Sequence, residues 1–190
     1  MSFDYNTYDW ARGLSNEHEA NERAIWAALA ILGRPQTYLD LGCGDGWMVH
    51  TAAMAGIEAL GIEGSQACID AGSEWADIRL HDLTTPLELG RQFELVSCIE
   101  VAEHLPIEAA KILVSTIRRH TYKWILWTAA PPGQGGDGHI NCQPPEYWEA
   151  LFEQTGAHVA VEETALMKTV WTKAAGGLFW LAKNVVVFYV

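Results

Sequence analysis

Basic residues are scarce in this chain. Lys and Arg number 12 against 24 Asp and Glu, which gives a net charge of −12 over 190 residues. A surface built to hold nucleic-acid phosphates needs clustered Lys and Arg, so a nucleic-acid partner is not expected. Cysteine is also sparse: the four, at 43, 68, 98 and 142, form no C-x-x-C pair. That is the pattern of reduced thiols in a cytoplasmic protein. Residues 1–10 show no basic region leading into an apolar run, so no secretory signal is expected there. The apolar tail at 178–190 is interrupted by Lys183 and Asn184 and is too short to span a membrane. It reads as a core strand, and no membrane partner is expected. The sequence has no internal repeat and no low-complexity tract, and it leaves the oligomeric state open.

What is present suits a globular domain, with 49% apolar and 19% charged residues. Ser15 or Asn16 can cap a first helix running to about Leu32, with Glu17 and Glu19 in its first turn and Ile25, Ala28, Leu29 and Leu32 on its apolar face. Strands then alternate with helices. Strands are expected near 37–41, 58–63, 77–81, 94–99 and 122–128, with helices at 46–55, 66–72, 106–119 and 145–155. Two more strands, at 158–163 and 184–189, close the pattern. Such alternation means a parallel sheet covered on both faces. Residues 129–142 and 165–177 read as loops beside the carboxyl ends of strands, where open parallel sheets bind ligands.

The most informative stretch is Tyr38-Leu39-Asp40-Leu41-Gly42-Cys43-Gly44-Asp45-Gly46, a buried strand that ends in a glycine-rich turn and enters a helix. The glycines remove side chains that would hold a ligand away from the backbone. A second acidic strand end, Glu63-Gly64-Ser65, follows at the offset of a ribose-binding carboxylate. A dinucleotide turn wants G-x-G-x-x-G, but Trp47 stands at the third place, no basic residue lies in the turn, and Asp45 would repel a pyrophosphate. A phosphate-free cofactor carrying a ribose and an ammonium group, such as S-adenosylmethionine, fits better.

The run Asp40 to Gly46 resembles the first motif of the class I S-adenosylmethionine-dependent methyltransferases. The resemblance extends to Glu63, to His81-Asp82-Leu83 and to Ser97-Cys98-Ile99-Glu100-Val101-Ala102-Glu103-His104-Leu105, over roughly residues 35–160. It implies an α/β, Rossmann-like, seven-stranded, mostly parallel sheet of order 3-2-1-4-5-7-6. It also implies a single domain over 1–190: a helical segment at 1–34, a cofactor-binding core at 35–160 and a terminal hairpin at 161–190. The implied cofactor contacts are Asp40, Gly42, Cys43, Gly44, Asp45, Glu63, Gly64, Ser65, Asp82, Leu83, Ile99 and Glu100. Asp82 would take the adenine amino group; its alternative role is a helix cap before Thr84.

Glu100, Glu103 and His104 share one face of a helical turn, and crowded carboxylates call for something positive between them. The E-x-x-E-H run is similar to that of ubiquinone-pathway O-methyltransferases and of small-RNA 3′-terminal 2′-O-methyltransferases. The latter hold Mg²⁺ with two Glu, a His and a later His, which maps onto Glu100, Glu103, His104 and His139. The metal-free alternative leaves His104 or His139, with Glu103, at the substrate; His139 can act as base or fix its loop through a backbone hydrogen bond. Asn141 can orient substrate. Trp26, Trp124, Trp127 and Trp180 are expected in helix or strand core; for Trp47, Trp148 and Trp171 core packing is also the better expectation, with an aromatic wall for a ring-shaped substrate as the alternative. Tyr5, Tyr8 and Trp10 are candidates to fold over the cofactor. These residues point to O-methylation of a small molecule or sugar hydroxyl, because an oxygen nucleophile must lose a proton. RNA 3′-terminal 2′-O-methylation and non-catalytic cofactor binding are the alternatives.

Overall fold

The computed structural model describes residues 18–174 and 179–190. Strand β1 (Thr37–Leu41) is the third strand of a seven-stranded sheet. It pairs in parallel with β2 (Glu58–Glu63) on one side and β4 (Phe93–Ile99) on the other. β3 (Ile78–Leu80) extends the sheet beyond β2, and β5 (Thr121–Thr128) lies beyond β4, both parallel. β7 (Val186–Tyr189) runs antiparallel to β5, and the two-residue β6 (His158–Val159) pairs antiparallel with β7 at the edge. The order is β3-β2-β1-β4-β5-β7-β6, as the motifs imply.

Both faces are covered because β1, β4 and β5 are apolar in both directions, as central parallel strands must be. One face presents Leu39, Leu41, Val96, Cys98, Ile125 and Trp127. On it pack α4 (Ala110–His120), through Leu113, Val114 and Ile117, and α5 (Pro145–Glu153), through Trp148, Leu151 and Phe152. The other face presents Tyr38, Leu95, Leu126 and Val187. It is covered by α1 (His18–Ile31), α2 (Trp47–Met54) and α6 (Val161–Ala174). The short α3 (Gln66–Gly72) follows β2, and α7 (Phe179–Asn184) precedes β7.

The C-terminal third departs from the sequence reading. Only His158 and Val159 of the expected strand at 158–163 are extended, and Val161–Ala174, expected in part as a loop, is a helix. Its buried residues Thr164, Met167 and Trp171 recur at helical spacing, while Val161 and Leu166 are exposed. The last two strands are therefore antiparallel neighbours joined through two helices, not a hairpin, and Asn184 ends a helix instead of opening a strand. Trp148 and Trp171 are core residues at 2% and 0% exposure, so neither forms an aromatic wall, and Trp26, expected in the core, is 43% exposed. The candidates Tyr5, Tyr8 and Trp10, the caps at Ser15 or Asn16, and Glu17 lie outside the described residues.

Trp171 ties α6 to α1: its indole N–H donates to the Ala24 carbonyl at 2.9 Å. Trp171→Ala is expected to cost about 3–5 kcal/mol, the scale for removing a large buried aromatic. Trp171→Phe, which keeps most of the packing and loses the hydrogen bond, should cost less. Urea unfolding of the variants measures both.

Candidate functional site

The carboxyl ends of β1, β2, β4 and β5 carry the site. After β1 the chain turns back on β2, with Gly42 and Cys43 N–H both donating to the Ile62 carbonyl at 2.8 and 3.1 Å. Gly42, Gly44 and Gly46 all have left-handed φ of 77, 59 and 75°, which only glycine adopts without strain. At Gly42 and Gly46 the missing side chain does not make room for a ligand, as the sequence reading expects. A Cβ at Gly42 would lie 2.4 Å from Val101, and one at Gly46 2.7 Å from Ile78. Both spaces are filled by the protein's own packing.

Glu63 sits at the end of β2 and is held by amides. Its Oε2 accepts from Gly44 N–H at 2.9 Å, and its Oε1 accepts from Gly64 and Ser65 N–H at 2.8 Å each. Burial pushes its pKa up, and the three amides oppose that. A carboxylate offers about four lone-pair sites, so the amides leave little beyond one for a ribose hydroxyl. Beside it, Ser65 is 2% exposed and its hydroxyl has no hydrogen-bond partner among the described residues, an orphan that a ligand hydroxyl would satisfy. Asp82 accepts from Thr84 N–H and Thr84 Oγ1 through Oδ1 and so closes a turn, with no helix among the described residues between β3 and β4 for it to cap, and Leu83 packs in the core.

Two residues expected at the cofactor are occupied within the fold. Asp40, 3% exposed, accepts from Ser97 Oγ at 2.5 Å, and Tyr38 Oη lies 2.7 Å from that same oxygen. Burial raises the Asp40 pKa from 3.8 to about 6. Asp45, 4% exposed, accepts from His18 Nε2 at 2.5 Å and from Trp47 N–H at 3.3 Å. The His18 ring stacks on Trp47 with centroids 4.1 Å apart. Cys43 packs over Gly61, and burial pushes its thiol pKa up. Ile99 closes β4 and packs toward the α1 face.

Past β4, Glu100 takes a left-handed φ of 51°, and its N–H donates to Thr128 Oγ1 at 2.8 Å. The 3₁₀ turn Ala102–His104 follows. Glu103 is fully buried. Its Oε1 accepts from Ala130 N–H at 3.2 Å, and its Oε2 has no hydrogen-bond partner among the described residues. Burial first, and then the neighbouring Glu100 charge, push its pKa up. His104 is held down at about 4 by burial and by His139. The two imidazoles meet edge to face at 4.9 Å. Glu103, His104 and His139 bring one ligand atom each within 4.8 Å of one another. Glu100, the fourth expected ligand, is outside that trio: its Oε2 accepts from Gln134 Nε2 at 3.0 Å and its Oε1 from Asn184 Nδ2 at 3.2 Å. Asn141 is buried beside the trio: its Nδ2 donates to the Ala102 carbonyl at 3.2 Å and its N–H to the Glu103 carbonyl at 3.0 Å.

Gln134, Asn184 and Thr128 have no role in the sequence reading. They are ordinary polar residues, and only the tertiary fold brings them to the motifs.

A family model described as a methyltransferase domain matches residues 14–161. A ubiquinone biosynthesis O-methyltransferase of Pseudomonas entomophila is 26% identical over 144 residues, covering 71% of this chain and 58% of that protein. Its namesake in Pseudomonas paraeruginosa is 31% identical over 141 residues, covering 67% of this chain and 53% of that protein. The chain thus spans little more than half the length of the curated relatives it matches. Among solved structures, a SAM dependent methyltransferase from Archaeoglobus fulgidus superposes with a TM-score of 0.67 at 14% identity, covering 98% of this chain and 100% of that one. A sugar N-methyltransferase from Streptoalloteichus gives 0.64 at 18% identity, covering 84% and 86%. These structures share the fold.

Asp40 generates a pH prediction. With its pKa raised from 3.8 to about 6, the folded chain keeps a proton that the unfolded chain releases between those values. Its contribution to stability is therefore greatest below pH ~4 and falls as pH rises to ~6, by on the order of 2 kcal/mol. Asp40→Asn should flatten that part of the stability–pH curve, measured by urea unfolding at stepped pH.

Proposed function

The chain belongs to the methyltransferase-domain family, and on that footing we propose that it transfers the methyl group of S-adenosylmethionine to a hydroxyl of a small molecule or sugar. The observation that carries the reading is the convergence of Glu103, His104 and His139 just past β4, on the same edge of the sheet as the glycine turn and Glu63. The names of the curated relatives support oxygen as the acceptor.

The cofactor fits the donor set. It carries a sulfonium and an ammonium, both cationic, and no phosphate. The site has carboxylates at Glu63, Glu100 and Glu103, and none of them is in an ion pair with Lys or Arg among the described residues. Glu63 and the orphan hydroxyl of Ser65 are placed for the ribose. When bound, the cofactor supplies an already activated methyl group, so the chain's task is to align the acceptor oxygen and remove one proton. His104, with a pKa near 4, is a weak base at neutral pH; His139 is the imidazole assigned to the acceptor's proton. The metal alternative rests on the buried, unpartnered Oε2 of Glu103. Glu103, His104 and His139 would hold the ion, and a divalent cation such as Mg²⁺ would lower the pKa of a nearby hydroxyl.

Three outcomes are expected. Glu63→Ala should weaken S-adenosylmethionine binding by about 1.5–3 kcal/mol in calorimetry, the range for hydrogen bonds to a charged group. Folded protein that binds neither the cofactor nor its demethylated product would refute the assignment. Methyl transfer from labelled cofactor should appear with phenols, catechols or nucleotide sugars and not with RNA 3′ ends; RNA labelling would favour the nucleic-acid alternative, and cofactor binding without any turnover the non-catalytic one. Exhaustive chelation should abolish activity, restorably by a divalent ion, if the trio holds a metal; unchanged turnover would assign the proton to His139 alone.

A further inference from the structure

The loop that delivers His139 is tied down at both ends of one residue. The backbone carbonyl of Gln134 accepts His139 Nδ1–H at 3.2 Å. The side chain of the same residue donates to Glu100 Oε2 at 3.0 Å and accepts from Asn184 Nδ2 at 3.0 Å. Asn184 also donates to Glu100 Oε1 at 3.2 Å, which closes a three-membered polar ring. The carbonyl that orients the imidazole is thereby anchored to the turn after β4 and to the end of α7.

Gly136 completes the seat. A Cβ there would fall 2.3 Å from His139 Nε2, 2.4 Å from Cε1 and 2.7 Å from Cδ2. The near-equal distances put it over the Nε2 end of the ring face, so the imidazole lies flush against bare backbone. The φ of Gly136 is not left-handed, so the backbone conformation does not require glycine at this position. Gly135, next to it, likewise has no left-handed φ and has nothing within 4 Å of its would-be Cβ. The Gly136 carbonyl also accepts the His139 N–H at 3.4 Å, and Gly135 is the neighbour at which an added methyl group would not strike the ring.

We propose that Gln134 and Gly136 are positioning residues: together they seat His139 in one orientation, with the proton on Nδ1 and Nε2 left as the acceptor. Which ring nitrogen carries the proton is set by the hydrogen bond the other makes. An alanine methyl at 136 has to push the ring off its seat and break the Nδ1 hydrogen bond. Gln134→Ala frees the carbonyl from its anchors more gently. The inference rests on the proposed role of His139 for its consequence in turnover, and on geometry alone for the tautomer.

The test compares Gly136→Ala, Gly135→Ala and Gln134→Ala. Long-range ¹H–¹⁵N spectra of the imidazoles, assigned with His139→Gln, report the tautomer whether or not an acceptor is known. The wild type and Gly135→Ala should both show a protonated Nδ1 and an unprotonated Nε2 for His139; Gly136→Ala should lose that pattern while binding S-adenosylmethionine as tightly as the wild type. With an acceptor in hand, kcat of Gly136→Ala should fall roughly ten- to a hundredfold, the scale for a group displaced by about an ångström, with cofactor KM unchanged. Gln134→Ala should lie between. A His139 spectrum unchanged by Gly136→Ala, or a wild-type ring protonated on Nε2, overturns the proposal. An intact spectral effect with no methyl transfer by any form would leave the seat standing and refute the methyl-transfer reading.

Discussion

No Lys or Arg among the described residues pairs with the carboxylates at the strand ends, and the design of the site follows from that constraint. Among the described residues, the Arg and Lys ion pairs run to Glu19, Asp77, Glu58, Glu88 and Glu94. Glu63 relies on three backbone amides, Glu103 on the Ala130 amide, Glu100 on two side-chain amides and Asp40 on a serine hydroxyl. Neutral donors solvate a charge without cancelling it. Glu63 and Glu100 therefore lend the edge of the sheet a negative field that suits a cationic ligand, whereas burial and the Glu100 charge raise the Glu103 pKa to about 8 and keep that group protonated at neutral pH. It also dictates backbone shape, because amides can converge on Glu63 only if the chain turns sharply after both β1 and β2.

The same economy splits the titrating groups. Burial alone pushes acids up and imidazoles down, and here it acts on both: Asp40 rises to about 6 and His104 falls to about 4. Their linkage to stability has opposite signs. The proton held by Asp40 favours the folded state at low pH, whereas the uncharged His104 favours it above its unfolded pKa, since the folded chain resists the proton that the unfolded chain takes up as pH falls from ~6.5 toward ~4. Near neutrality His104 is a neutral imidazole. That is the form needed by a metal ligand, and it leaves the adjoining His139 without a second imidazolium beside it.

How much of this was legible in the sequence depended on how local the signal was. The turn Gly42 to Gly46 and Glu63 were readable because strand, glycine and acid lie in one short run, and the sheet order followed from the resemblance those runs carry. The C-terminal third was not readable in the same way. Val161, inside the run read as a strand, is apolar yet exposed, while the stripe of Thr164, Met167 and Trp171 that marks a helix is narrow and one-third polar. A count of helical spacing would have found it. Gln134, Gly136 and Asn184 carried no such signal. Their meaning is a set of contacts across up to 84 residues of chain, visible only once β7 lies beside β5.

That hidden third is connected to the chemistry through a closed circuit of contacts. His18, at the start of α1, grips Asp45 in the glycine turn, and further along α1 the Ala24 carbonyl receives the Trp171 indole of α6. After α6 the chain passes through α7, whose final residue Asn184 holds Glu100 and Gln134. The glycine turn and the His139 loop are thus fastened from outside the sheet by the same helical layer. Loops at the ends of parallel strands are the least constrained parts of such a fold. A site needing both cofactor and proton acceptor within tenths of an ångström requires them to be rigid relative to each other. The helices beyond residue 160 supply contacts of that kind, through Trp171 to α1 and through Asn184 to Glu100 and Gln134, and on the proposed reading a loosened α1–α6 contact would disturb alignment without touching any residue at the strand ends.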